Sequence, residues 1–169
     1  WYNDYISMSE QMNVDLSHKS VRYPKDIKIA HNELLKKYKV IENEVLEQQM
    51  KKATENLYNG LTEYKDKDYA IVFPHSRAEF IAEGQSLNHC VGTQEMYFKN
   101  HLAGTKMIFF VRRAADIQKP YVTMEIDMKR LVIMQIYGYG DKRPDVQTIK
   151  FANKFLNLLK KDVTARRAC

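Results

Sequence analysis

The stretch "PYVTMEIDMKRLVIMQIYG", residues 120–138, decides the fold because its apolar residues recur at every second position in two successive segments. One face of the first segment is apolar and the other is more polar: Val122, Met124 and Ile126 against Tyr121, Thr123 and Glu125. The second segment repeats the alternation: Val132, Met134 and Ile136 against Ile133, Gln135 and Tyr137. A period of two is typical of β-strands, so the stretch predicts an antiparallel hairpin.

The register of this hairpin follows from burying both apolar sets on the same side of the sheet. A three-residue loop, residues 128–130, satisfies that condition. It places Thr123 opposite Gln135 and Glu125 opposite Ile133. The polar side chains of the two strands therefore share one face.

Two further strands lie upstream of the hairpin. The segment "KMIFFVR", residues 106–112, completes a three-stranded meander, with Arg112 on the face of Ile108 and Phe110 and Arg113 on the other face. The segment "YAIVF", residues 69–73, predicts a fourth short strand that ends before Pro74.

The longest predicted helix runs from Pro24 to about Leu61, with Pro24 in the first turn and no internal glycine or proline before Gly60. Ile27, Leu34 and Ile41 are spaced seven residues apart, which indicates an amphipathic stripe. We expect this helix to pack on its own domain. The alternative is an arm that binds a protein partner.

Shorter helices complete the pattern. A weakly helical segment is expected over residues 2–15. Helices are predicted over 77–87, where Ser76 and Glu79 have capping-box spacing, over 94–102 after a Thr93 cap, and over 146–163, with a frayed tail at 165–169. The fold class is α+β: a helical region at 1–66, and a core at 67–169 whose antiparallel sheet of about four strands is packed with helices.

Composition limits the class of protein. The 169 residues are 44% hydrophobic and 28% charged, with a net charge of +6, which is typical of a soluble globular chain and favours an anionic partner. No apolar run is long enough for a membrane span, and the cytoplasm is the expected compartment. Because the chain begins with Trp1 and not with Met, we expect it to be part of a longer protein.

The cysteines and histidines predict neither a disulfide nor a metal site. Cys169 is the last residue, where a structural disulfide to Cys90 is not expected. Two cysteines and five scattered histidines form no zinc-binding spacing, and no cofactor is predicted.

The stretch "EGQSLNHCVGT", residues 83–93, has three interpretations. The simplest is a packed turn with a buried thiol at Cys90. The second is catalytic: Cys90 before a Thr93-capped helix, or His89 as acid or base. The third is binding, with His89, Arg112 and the amides near residue 92 holding a phosphate or carboxylate.

A polar sheet face is the second candidate region. It carries Thr123, Glu125, Gln135, Tyr137 and Arg112. The simpler interpretation is a solvated face. If the short helices cover it, these groups must be hydrogen-bonded to one another or to a ligand, because burying them without partners is costly.

The loop "GYGDKRPD", residues 138–145, is the third candidate. Tyr137 and Tyr139 alternate with glycines, and Lys142 and Arg143 follow, a pattern that suits stacking on bases and contacts with phosphates. An ordinary glycine-rich turn is the alternative. The glycine spacing matches neither a phosphate-binding loop nor a dinucleotide fingerprint.

Several stretches together resemble the PcfJ-like family of plasmid, integrative-element and phage proteins. They are "YPKDIKIAHNELLKKY", "AEGQSLNHCVGT", "MIFFVRR", "KPYVTMEID" and "IMQIYGYGDKRP", in the family's order over roughly residues 22–160. The family often has tyrosine where this chain has Gln94, with Tyr97 nearby, and asparagine where this chain has Asp141. The resemblance implies a protein of mobile genetic elements and a longer full-length chain, but no reaction.

Two functions follow as alternatives. The first is a module that binds nucleic acid, a nucleotide or another anionic partner through the polar face and the basic loop. The second is an enzyme in which His89 and Cys90 act, Glu125 and Gln135 orient, and Arg112 holds an anionic group. A scaffold that recruits a partner through the long helix is the third interpretation.

Overall fold

The computed structural model describes residues 1–168, and for residues 39–43 the backbone only. The predictions for Cys169 and for the Ile41 side chain therefore lie outside the described residues. Six α-helices are numbered here in chain order: α1 Tyr2–Gln11, α2 Lys19–Arg22, α3 Ile27–Tyr58, α4 Arg77–Leu87, α5 Glu95–Leu102 and α6 Val146–Ala168. The strands are β1 Tyr69–Val72, β2 Lys106–Arg113, β3 Val122–Asp127 and β4 Val132–Tyr137, and short 3₁₀ turns lie at Cys90–Gly92 and Tyr139–Asp141.

The chain divides into two compact units, residues 1–49 and residues 50 onward. The division lies within α3, upstream of the boundary predicted at residues 66/67. None of the described helices is both long enough and apolar enough to cross a membrane.

The first unit is helical. The Tyr5 hydroxyl donates to the carbonyl of Val21 (2.8 Å), which ties α1 to α2. Helix α3 begins after Asp26, whose carboxylate accepts the amides of Lys28 and Ile29 (both 3.0 Å), so the predicted start at Pro24 is wrong by three residues. The long helix itself is confirmed.

The second unit contains the predicted antiparallel sheet, in the order β1-β2-β3-β4. One face packs against α6 and forms the main core: Met107, Phe109, Val111, Val122, Met124 and Ile126 against Phe151, Ala152, Phe155, Leu156 and Leu159. The rings of Phe109 and Phe155 meet edge to face with centroids 5.0 Å apart. Helix α6 continues to Ala168, where fraying was predicted.

The predicted hairpin register is wrong. The structure pairs Thr123 with Tyr137, Glu125 with Gln135, and Asp127 with Val132. The loop has four residues, 128–131, because the Asp127 carboxylate accepts the amides of Lys129 (3.0 Å) and Arg130 (2.9 Å) and folds the chain into a tight turn.

A bulge in β4 then restores the polar face. Ile133 pairs with Ile126 and Gln135 with Glu125, so Met134 has no partner residue on β3 and is 40% exposed. Ile133 and Ile136 both pack against the main core. The prediction that Val132, Met134 and Ile136 share the apolar face is therefore wrong for Val132 and Met134.

The other sheet face is covered by α4, the turn Cys90–Gly92 and α5. Phe80 of α4 and Val91 of the turn pack with Ile108 and Phe110 of β2 in a second apolar cluster. Ser76 caps α4 as predicted, accepting the amide of Glu79 (3.2 Å).

Two glycines let α4 and the turn approach backbone to backbone. A Cβ on Gly84 would lie 2.7 Å from the amide nitrogen of Gly92, and one on Gly92 would lie 2.7 Å from the Phe80 carbonyl oxygen. Both neighbours are main-chain atoms, which cannot move aside as a flexible side chain would. The spacing of these glycines thus fixes where His89 and Cys90 lie.

We predict that Gly84→Ala lowers the free energy of unfolding by roughly 1–3 kcal/mol, because the new methyl group forces α4 away from the turn. Chemical denaturation measures the change. Ser86→Ala, an exposed position in the same helix, is the control and should change stability by less than about 0.5 kcal/mol. Equal stability of the two variants would show that the close approach is not required.

Candidate functional site

A buried ion pair joins α4 to the sheet. Glu83 of α4 is 1% exposed and Arg112 of β2 is 5% exposed. The guanidinium donates to both carboxylate oxygens, with a distance of 3.0 Å from Nη1 to Oε1, and it also lies 4.8 Å from the centre of the Phe110 ring. Two parallel hydrogen bonds of this kind give the pair a fixed geometry.

Thr123 and His89 extend the ion pair toward the surface. The Thr123 hydroxyl donates to Glu83 Oε1 (2.9 Å), and His89 Nε2 lies 3.0 Å from the same hydroxyl oxygen. Thr123 has one proton to donate, and the carboxylate takes it. His89 must therefore donate through Nε2, which fixes the proton on that nitrogen.

A small cleft of about 30 Å³, partly open to solvent, lies beside this chain of hydrogen bonds. Its polar lining residues come from the 3₁₀ turns, α5 and the two adjacent strands: His89, Cys90, Tyr97, Thr123, Glu125, Gln135, Tyr137 and Asp141. Val91 and Ile108 provide its apolar floor. No lysine or arginine is among these described lining residues.

Glu125 is the most unusual group in the cleft. It is 6% exposed, yet its carboxylate takes part in none of the hydrogen bonds or ion pairs found among the described side chains. Burial raises the pKa of Glu125, with a further contribution from Asp127, while Lys106 acts in the opposite direction. A largely buried glutamate whose carboxylate lines a cleft and accepts no hydrogen bond from the described residues indicates a place for a ligand.

The Cys90 thiol lies 3.8 Å from the Tyr97 hydroxyl. Burial, and then this contact with Cys90, raise the pKa of the Tyr97 phenol. Thr93 does not cap α5, contrary to prediction: its hydroxyl donates to the Cys90 carbonyl (3.2 Å), and the residue at the helix cap is Gln94, without a side-chain hydrogen bond. The predicted helix-terminal activation of Cys90 by a Thr93-capped helix therefore has no structural basis.

The predicted basic loop lines the cleft only in part. Tyr137 and Asp141 line its rim, while Tyr139 is 64% exposed and Lys142 and Arg143 are exposed. The Gly140 and Asp141 backbones both have positive φ, at 61° and 59°.

Comparison with known proteins adds a family. The family model described as PcfJ-like protein matches residues 1–150. The chain belongs to the PcfJ-like protein family. It is also 30% identical over 155 residues to the uncharacterized protein Lin1253/Lin1744 of Listeria innocua serovar 6a, covering 92% of this chain and 33% of that protein. No solved structure matches significantly.

The PcfJ-like chain thus spans about a third of the length of its Listeria relative. The resemblance found in the sequence is confirmed at the level of the family. The roles of individual residues in the cleft remain proposals.

Sequence reasoning brought His89, Cys90, Glu125 and Gln135 together, and the structure places all four on one cleft. Arg112 lies behind it, held by Glu83, so the geometry favours a positioning role for Arg112 over contact with a ligand.

Glu83 was missed as a site residue. It shares the buried face of α4 with Phe80, Gly84 and Leu87, and a glutamate at that helical spacing was the available signal. Tyr97 was noted only as a neighbour of Gln94, although its hydroxyl reaches Cys90.

We predict that Glu83→Gln lowers the free energy of unfolding by about 3–5 kcal/mol, since it keeps the side-chain volume but leaves the Arg112 charge buried without a counter-charge. Thermal or denaturant unfolding measures the loss. Glu95→Gln, which removes an exposed pair with Lys99, is the matched control and should change stability by less than about 1 kcal/mol. Equal effects of the two substitutions would contradict the structural role of the buried pair.

Proposed function

We propose that the core of this PcfJ-like chain binds single-stranded nucleic acid at the rim of the cleft. The observation that carries the proposal is the placement of exposed Tyr137 and Tyr139 beside Lys142 and Arg143, at the edge of a cleft whose described lining contains no lysine or arginine. Aromatic faces stack on unpaired bases, while basic side chains contact the phosphates. Bases in a duplex are already stacked and offer such rings no free face.

The charge distribution supports the same surface. Residues 142–167 contain eight lysines and arginines and two aspartates. On α6, Lys150, Lys154 and Lys161 are exposed and have the spacing of one helical stripe, because they are four and seven residues apart. This stripe follows the loop directly along the chain and extends the basic surface for a phosphate backbone.

The cellular setting is also part of the proposal. The family resemblance suggests a cytoplasmic role in the biology of plasmids, integrative elements or phages, where single-stranded DNA and RNA are common. A protein partner on the long helix α3 remains a proposal of the same kind, supported by the exposed Val45 and Leu46 side chains.

The alternative is an enzyme in which His89 and Cys90 act with Glu125 and Gln135. The convergence of these residues on one cleft supports it. The surroundings of the thiol do not favour a nucleophile, because its hydrogen-bond partner is the Tyr97 phenol and a carboxylate lines the same cleft. We therefore rank binding above catalysis.

We predict that Lys142→Gln combined with Arg143→Gln weakens binding of fluorescein-labelled oligo-dT about tenfold at low salt. Two lost phosphate contacts should also reduce the slope of log affinity against log salt by about 1.4. Fluorescence anisotropy measured over a salt series gives both quantities.

The control is Lys65→Gln combined with Lys67→Gln, two exposed lysines that precede β1 at the opposite edge of the sheet. It removes the same charge and should leave affinity within about twofold if the loop is the specific contact. Equal losses of affinity in the two double variants would show that binding depends on net charge alone. No binding of single-stranded DNA or RNA at low salt would refute the proposed function.

A further inference from the structure

We propose that the cleft receives the pairing edge of one unpaired guanine, with the Glu125 carboxylate accepting its N–H groups and the Gln135 amide donating to its carbonyl oxygen. The inference rests on the proposed function, because it assigns the ligand of the same surface. It names a particular base, which neither the description of the family nor the name of the Listeria relative specifies.

The charges of the cleft exclude a phosphate as its ligand. Glu125 and Asp141 are among its lining residues, and among those that the structure describes there is no lysine or arginine. The basic groups, Lys142 and Arg143, follow Asp141 on the exposed loop. A nucleotide bound here would therefore place its phosphate outside and the pairing edge of its neutral base inside.

Glu125 favours a ligand that donates hydrogen bonds. Its side chain is largely buried, and its carboxylate lines the cleft without accepting a hydrogen bond from the described residues, which leaves both oxygens available to a donor. An ionised carboxylate only accepts, through two oxygens side by side. The matching ligand edge has two adjacent N–H donors.

Gln135 supplies the remaining group. It lies directly opposite Glu125 in the β3–β4 register and lines the same cleft, so both side chains point to one face. Its amide offers a donor next to the two carboxylate acceptors. Of the four DNA bases, only guanine has two adjacent N–H donors followed by a carbonyl oxygen on its pairing edge.

The cleft also offers aromatic contact for a flat ring. Tyr97 from α5 and Tyr137 from β4 both line it, and Val91 and Ile108 form an apolar floor. Base–aromatic contacts do not distinguish bases, so the choice of base falls to Glu125 and Gln135.

The test uses the full chain and short fluorescein-labelled oligo-dT probes in which one central thymine is replaced by guanine, adenine or cytosine. We expect the guanine probe to bind at least about tenfold more tightly than the adenine, cytosine and all-thymine probes. Glu125→Gln should abolish that preference and leave the all-thymine probe bound as well or slightly better, because a negative charge is removed. Glu95→Gln, the same change at an exposed position of α5, should keep the preference.

Glu125→Gln is expected to remove the guanine preference without weakening the binding of the all-thymine probe. This pair of results separates recognition of the base from electrostatic attraction. Equal binding of all four probes, a preference for adenine or cytosine, or a guanine preference that survives Glu125→Gln would each overturn the inference. If Glu125→Gln does not fold, the comparison of the four probes on the unaltered chain still decides.

A titration with free guanosine and adenosine separates this inference from the proposed function. Binding of guanosine without binding of any oligonucleotide would support the cleft assignment and refute nucleic-acid binding. Binding of all oligonucleotides equally, with no binding of guanosine, would support nucleic-acid binding and overturn the cleft assignment.

Discussion

The hydrogen-bonded ion pair between Glu83 and Arg112 is the interaction on which the site depends. It lies between α4 and the sheet, where both side chains are buried, so each charge requires the other. Thr123 and His89 are attached to it in series, and His89 brings its neighbour Cys90 to the cleft. The pair therefore positions one wall of the cleft without lining the cleft itself.

In the proposed complex, the cleft and its surroundings divide the recognition of a nucleotide between two places. The Glu125 carboxylate and the Gln135 amide lie inside, where partial burial makes hydrogen bonds selective. Cations lie outside, on the loop after β4 and on the exposed stripe of α6, where they contribute affinity but little selectivity. This separation distinguishes the site from a general basic surface, and it gives the unpaired Glu125 carboxylate a physical purpose.

Much of the fold could be predicted from the sequence because alternation and helical spacing are local signals. The four strands, the Ser76 cap and the polar sheet face followed from them. The hairpin register could not be predicted in this way, because the Asp127 turn and the Met134 bulge each add one residue. Together the two added residues leave the side chains on the same sheet faces as the predicted three-residue loop would have done. Because Glu125 and Gln135 stay on the same face in both registers, the alternation of apolar and polar residues does not distinguish the two registers.

The partner of Arg112 is the second feature that sequence reasoning did not supply. Arg112 was placed on the correct face, but its partner Glu83 lies 29 residues away on a helix whose docking depends on the Gly84–Gly92 contact. A long-range pair of this kind has no local pattern. The role predicted for Arg112, contact with an anion, followed from its charge alone and did not include its neutralisation by Glu83.

The most direct test of this account is the pKa of Glu125, measured by carbon NMR on protein labelled at the glutamate carboxyl groups, with and without guanosine. We expect the pKa of Glu125 to lie above that of the exposed glutamates, because burial of the side chain disfavours the charged form. Guanosine should lower its pKa, since N–H donors stabilise the charged carboxylate, and adenosine should not. A Glu125 signal that titrates with the exposed glutamates, or that guanosine leaves unchanged, would contradict the central claim that this carboxylate is the ligand-binding group of the cleft.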